Sequence, residues 1–393
     1  MNHYTRMTTY LQDREQQMFA LLKELVVIQS GSRHKDGVDR VAREIATFLS
    51  DSSVVCQTVV QPRYGNHLIV RSPVDRTLSG RQALLVGHMD TVFPHDTEFN
   101  WYKEDTRHSY GPGVVDMKGG LVAGLFALKA LDAAGFLKRI PLTFILNSDE
   151  EIGSVTSGAL IREEARNSAF AFVLECGGLN GELVTGRKGN LTARLDVTGE
   201  AGHAAFAGQD KRSAILELAH KIIALEALNA PGDGITVNVG WVQGGIGPNT
   251  IPAQATAHVD FRFPTSAAGL HLENRLAAIV AEHTVSNTAA IHQLLTRRPP
   301  MPANAANQRL FTTVQSLAFE LGMQIGDEFR QGVSDANLIA DEKVPVIDGL
   351  GPVGGKDHSA AEYMVKESLL HRSILLACAI PACWEQFRAG QAV

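Results

Sequence analysis

Hydrophobic residues along the first half of the chain fall into two alternating spacings. From Gln12 to Ile28, apolar side chains at Met18, Leu21, Leu22, Leu25 and Val26 recur every three or four positions, which lines them up on one face of a helix. "GVDRVAREIATFLSD" predicts a second helix, and "GGLVAGLFALKALDAAG" a third, closed by Gly135. Between them lie shorter apolar runs. "HLIVRSP", "QALLVGH", "PLTFILN" and "AFAFVLEC" predict strands, the second apolar enough to be covered on both faces. Strands alternating with helices predict a layered α/β sheet.

The pattern changes after Gly189. "GNLTARLDVTGEA" alternates as a half-exposed strand does, and "KRSAILELAHKIIALEAL" has helical periodicity. "ITVNVGWVQGG" and "QATAHVDFRFP" predict two strands, "AAGLHLENRLAAIVAEHT" a helix and "AAIHQLLTRRPP" a last strand. That order, βαββαβ, is ferredoxin-like and self-contained. The reading is therefore a discontinuous α/β main domain, residues 1–188 and 299–393, with an α+β domain inserted at 189–298.

Composition narrows the partners. The chain has 393 residues, 45% hydrophobic and 20% charged, with a formal net charge of −6. No basic stretch offsets that charge, which argues against nucleic acid. No apolar run approaches the ~20 residues of a membrane span, and the N-terminus lacks the apolar core of a signal peptide. Cys56, Cys176, Cys378 and Cys383 have no CxxC spacing and read as reduced thiols of a cytoplasmic protein.

The chemistry gathers at predicted strand ends. "VGHMDT", "GPGVVDMKGG", "SDEEIG" and "VLECGG" each place an acid or histidine there, where open α/β sheets collect ligands. "GGKDHSAAEY" is a distant fifth. Together they offer His88, Asp90, Asp116, Glu150, Glu151, Glu175 and His358. Taken singly, Asp90 reads equally well as a turn acid and Asp116 as a helix cap. As a set, imidazoles mixed with carboxylates at buried strand ends call for a cation, and suit zinc or a similar divalent metal. The run Asp149–Glu150–Glu151 is otherwise a costly crowding of like charges. Neither a GxSxG elbow nor a P-loop is present.

The blocks "LLVGHMDTVFP", "GPGVVDMKGG", "LNSDEEIGS", "VLECG", "GHAAFAG" and "KDHSAAEY" resemble, in order and over nearly the whole chain, the dinuclear zinc family of glutamate carboxypeptidase, aminoacylase, N-acetylornithine deacetylase and succinyl-diaminopimelate desuccinylase. The resemblance implies a zinc-exopeptidase-like three-layer catalytic domain with a ferredoxin-like lid that forms homodimers. It implies two Zn2+ per subunit, with Co2+ or Mn2+ as substitutes. His88 and Glu175 would hold one ion, Glu151 and His358 the other, and Asp116 would bridge them. Asp90 would orient His88, and Glu150 would be the general base acting on a metal-activated water.

Three lid residues extend the match. His203 would polarise the scissile carbonyl, Asn249 would contact substrate, and Arg298 would bind a substrate carboxylate, with Arg297 beside it as an equally basic neighbour. Their plain alternatives are a surface-loop histidine, a turn former and a solvated charge pair. "DMKGG" departs from the commonest pattern, because Met117 stands where many relatives have a second acid. The implied activity is hydrolysis of an amide beside a carboxylate-bearing amino acid, in the manner of a glutamate carboxypeptidase. An N-acyl-amino-acid deacylase is the nearest alternative, and a non-catalytic binding or scaffold relative the alternative from another class. The expected partner is a small peptide or N-acyl amino acid.

Overall fold

A computed structural model describes residues 3–74, 81–208 and 211–388. They divide into two compact units, one within Met1–Gly186, Ala303–Phe329 and Ser334–Val393, the other within Arg187–Pro302 and Arg330–Val333.

The first unit is built on a six-stranded sheet, in spatial order Val55–Val59, His67–Arg71, Leu142–Asn147, Gln82–His88, Ser168–Val173 and Val346–Ile347. The last four are mutually parallel, and the first two are antiparallel additions at one edge. Every residue of Gln82–His88, Leu142–Asn147 and Ser168–Val173 is buried. That is why these segments read as continuous apolar runs rather than alternating ones.

The helix Lys118–Ala133 lies close to this sheet because two of its glycines leave room. A Cβ on Gly120 would sit 2.0 Å from the Leu174 carbonyl oxygen, and one on Gly124 would sit 3.0 Å from the Phe144 ring. Gly135, at φ +78°, ends the segment in a conformation that other residues avoid. The helix Lys366–Phe387 packs against Lys118–Ala133.

Two elements were not read from the sequence. The predicted helix from Gln12 to Ile28 is present as Glu15–Val26, but a separate helix, His3–Gln12, precedes it. The polar run around Asp13 and Arg14 offers no apolar side chain to carry one face through, while Met7 and Leu11 anchor the earlier helix in the core. The strand Val55–Val59 left no pattern to read because it is an edge strand with four exposed residues.

The second unit carries an antiparallel sheet in the order Thr236–Gly244, Gln254–Phe263, Gly189–Thr198, Ala289–Arg298, with the helices Ala214–Glu226 and Ser266–Ala281. Gln254–Phe263 alternates strictly between buried and less buried positions, as a sheet with one covered face must. Its core centres on Leu195, Val259, Phe261 and Leu276. Inside it, Lys221 pairs with Glu217 at 2.8 Å and donates to the Ile279 and Glu282 carbonyls. No helix among the described residues is long and apolar enough to cross a membrane. All four cysteines are free thiols.

Phe144 is fully buried between the sheet and Gly124. Phe144→Ala is expected to destabilise the protein by about 3–5 kcal/mol, read as a lowered urea midpoint; a midpoint equal to that of the parent would contradict this packing.

Candidate metal centre

Three adjacent parallel strands end at one place. His88 is the last residue of its strand, Glu150 and Glu151 follow Leu142–Asn147 in a short 3-10 turn, and Glu175 lies just beyond Ser168–Val173. Asp116 comes from the loop before the helix Lys118–Ala133, and His358 from the turn after Gly354–Gly355. Both sit within the first unit, so the strand ends supply fixed positions and two loops complete the ring.

Asp116 is central. Its Oδ1 lies 3.1 Å from His88 Nε2 and its Oδ2 lies 3.1 Å from His358 Nε2. Glu175 Oε1 is 3.5 Å from His88 Nε2, and Glu151 Oε2 is 3.3 Å from His358 Nε2. One atom each of His88, Glu150 and Glu175 falls within a 4.8 Å group. Asp116 does not cap the following helix, whose N-cap is Met117. His88 is buried, whereas the His358 side chain is 55% exposed and its backbone adopts φ +58°.

Asp90 proves more connected than an orienting acid. The His88 Nδ1–H donates at 2.9 Å to the Asp90 main-chain carbonyl, closer than the Asp90 carboxylate at 3.5 Å. The carboxylate accepts instead from Ser32 Oγ at 2.6 Å and from the Glu150 and Glu151 main-chain N–H groups at 3.2 and 3.3 Å. With Nδ1 protonated, a neutral His88 presents its Nε2 lone pair toward Asp116 and Glu175. Asp149 points away from the cluster, accepting from Thr156 and Ser157 by main chain and hydroxyl, and so holds the start of the next helix.

Sequence reasoning assigned no role in the site to three contributors. Ser32 anchors Asp90 across 58 positions. Met117 is no bystander, since its Sδ accepts the His88 main-chain N–H at 3.1 Å. Asp357, exposed, brings a carboxylate within the 4.8 Å group of Asp116 and His358. Ser334 is buried and caps the helix Asp335–Asp341 while donating to Asp348.

The electrostatics show an excess of acid. Burial pushes Glu151 up to about 8 and raises Glu175. Burial works the same way on Asp116, but hydrogen bonds from His358 and His88 outweigh it and hold that carboxyl below its usual range. Burial opposes charge on His88, yet Asp116, Asp90 and Glu175 raise it well above the ordinary imidazole value. Hydrogen bonds to Asp116 and Glu151 push His358 up to about 11. Among the described residues, buried Glu151 Oε1 has no hydrogen-bond partner, an orphaned acceptor that a cation would satisfy. Nitrogen and oxygen donors in this mix fit a divalent metal of the zinc type.

In the second unit, His203 and Asn249 come together. Gly202–His203 pairs with Thr250–Ile251, and the Ala204 main-chain N–H donates to the Asn249 carbonyl at 2.9 Å. Both side chains are exposed. The His203 Nδ1 accepts from the Ala205 N–H, which leaves the proton of the neutral ring on Nε2. Arg298 is buried at the end of an outer strand, while exposed Arg297 pairs with Glu273 at 3.3 Å.

Residues 84–381 match the model of Peptidase family M20/M25/M40. The chain belongs to that family. As a member it is a metal-dependent hydrolase of amide bonds. It is 28% identical to carboxypeptidase G2 of Pseudomonas sp. (strain RS-16), over 93% of this chain and 88% of that protein. It is also 28% identical to succinyl-diaminopimelate desuccinylase of Marinobacter nauticus, over 74% of this chain and 80% of that one. Its fold resembles that of aminopeptidase PepT from Bacillus cereus, with a TM-score of 0.77 at 20% identity, covering 94% and 98% of the two chains. The fold class read from the sequence, an α/β catalytic domain with a ferredoxin-like insertion, is that of this family.

Because the imidazoles hold protons when no cation is bound, metal must displace them, so affinity rises with pH. Zinc titration of chelator-treated protein between about pH 6 and 8 is expected to release at least about one proton per ion, measured calorimetrically in buffers of different ionisation enthalpy. A pH-independent affinity with no proton release would count against this donor set.

Proposed function

We propose that the protein is a two-zinc hydrolase that cleaves an amide next to a carboxylate-bearing amino acid, as a glutamate carboxypeptidase does. The observation that carries the reading is Asp116, whose two oxygens each face a different imidazole, with Glu150 alongside. In this reading His88 and Glu175 would hold one ion and Glu151 and His358 the other, with Asp116 as the ligand they would share; Co2+ or Mn2+ could replace Zn2+.

Bound ions of this kind polarise a carbonyl and make a water acidic enough to attack near neutral pH. Glu150 takes the proton from the attacking water and returns it to the leaving nitrogen. Asp90 keeps the His88 ring and the Glu150–Glu151 turn in register through its carbonyl and carboxylate. His203, with its Nε2 proton, donates to the developing oxyanion, Asn249 contacts the substrate, and Arg298 receives its carboxylate as a guanidinium fork does. The likeness to carboxypeptidase G2 over 93% of the chain supports a free carboxylate on the leaving side.

Likeness to a desuccinylase favours a second reading, deacylation of an N-acyl amino acid at the same centre. Exposed Phe206, Ile223, Ile246 and Ile291 support a homodimer through the inserted unit, and four free thiols support a cytoplasmic setting.

Zinc-loaded protein is expected to cleave dipeptides, N-acyl amino acids or glutamate conjugates that carry the free carboxylate, and to leave their carboxylate-free counterparts intact. Product masses then choose between the two readings. Equal cleavage of both sets would overturn the carboxylate requirement, and cleavage of neither would overturn the proposal. Glu150→Gln is expected to lower kcat by about 10²–10⁴-fold at unchanged metal content. Arg298→Ala is expected to raise KM with a smaller change in kcat, as seen in steady-state kinetics.

A further inference from the structure

Glu362 is a buried acid with no part in the functional reading so far. Fully shielded from solvent, its Oε1 accepts from the Val115 and Asp116 main-chain N–H groups at 2.9 and 3.1 Å, and its Oε2 from that of Gly113 at 2.9 Å. Among the described residues no main-chain carbonyl accepts from any of these three donors. One side chain therefore gathers the loop that delivers Asp116.

The same residue closes the turn that delivers His358. Ser359 N–H donates to Lys356 and Glu362 N–H to Ser359, so His358 lies inside a short turn ending at Glu362. The next residue, Tyr363, pairs with Tyr110, just upstream of the Asp116 loop. Lys118, equally buried, donates to the Ile28 carbonyl; burial lowers it to about 7, and nearby Glu362 opposes that shift.

We propose that Glu362 is a positioning residue that fixes the separation of Asp116 and His358, holding Oδ2 and Nε2 where they could serve one cation. It touches neither ligating group and works through the backbone of the Asp116 loop. A glutamine cannot repeat this, because its single acceptor oxygen leaves one loop N–H facing an NH2 group. An aspartate keeps the acceptors but falls one methylene short. The inference rests on reading Asp116 as a metal bridge.

The test compares the full-length protein with Glu362→Gln and Glu362→Asp, each chelator-treated and reloaded with Co2+. Ions bound per chain, affinity against a competing chelator, the visible Co2+ spectrum and thermal unfolding without metal are measured. Both variants are expected to bind Co2+ about 10–100-fold more weakly with an altered spectrum, the aspartate less severely. If the glutamine variant fails to fold, the aspartate variant decides alone. Parental affinity and spectrum in a folded variant, even one that unfolds at a lower temperature, would reduce Glu362 to a structural staple and overturn the proposal. Fewer than two ions on the parent protein would instead overturn the bridging reading, and this inference with it.

Discussion

Four carboxylates and two imidazoles are pressed together at the ends of three buried strands, and mutual repulsion would drive them apart unless positive charge were present. Without a cation that charge is supplied by protons held on His88 and His358, which is why both imidazoles are far more basic than usual. The balance is incomplete, since Glu151 keeps one buried oxygen without a hydrogen-bond partner among the described residues. Much of the surrounding structure serves to hold this unfavourable group in place. The sheet is covered on both faces, a helix approaches through glycines, and loops from distant parts of the chain are tied down by buried side chains.

Rigidity there has identifiable sources. The strand ends are fixed by their ladders, so His88, Glu150, Glu151 and Glu175 inherit their spacing from the sheet itself. Asp116 and His358 have no ladder of their own. The Asp116 loop depends on the Glu362 carboxylate, which accepts three of its main-chain N–H groups, an arrangement worth more inside the protein than at its surface because such bonds are charge-assisted. The His358 turn is closed by the main-chain bonds Ser359 to Lys356 and Glu362 to Ser359. Stability is thus exchanged for placement, as functional sites commonly require.

Most elements were legible because burial was uniform or strictly alternating. Gln82–His88 is apolar throughout, and Gln254–Phe263 alternates without a break. The strand Val55–Val59 escaped notice for the opposite reason, being exposed on the sheet edge. Candidate ligands stood out as polar residues following apolar runs. Ser32, Met117 and Glu362 did not, because a hydroxyl, a thioether or an acid in a polar stretch acquires its role only from a partner 58, 29 or 246 or more positions away. Asp90 was recognised as orienting His88, but the nearer contact to that ring is its main-chain carbonyl, while its carboxylate, 3.5 Å from the ring, also holds the Glu150–Glu151 turn.

This double role of Asp90 limits how the segment can vary. A main-chain carbonyl belongs to every residue type, so contact with the His88 ring constrains the path of the backbone rather than the side chain at position 90. The carboxylate, by contrast, answers to the turn of Glu150 and Glu151. Two neighbouring strand ends are therefore locked in register through one residue. An insertion in either loop would misalign both, so sequence drift in these loops should be confined to substitutions that preserve their length.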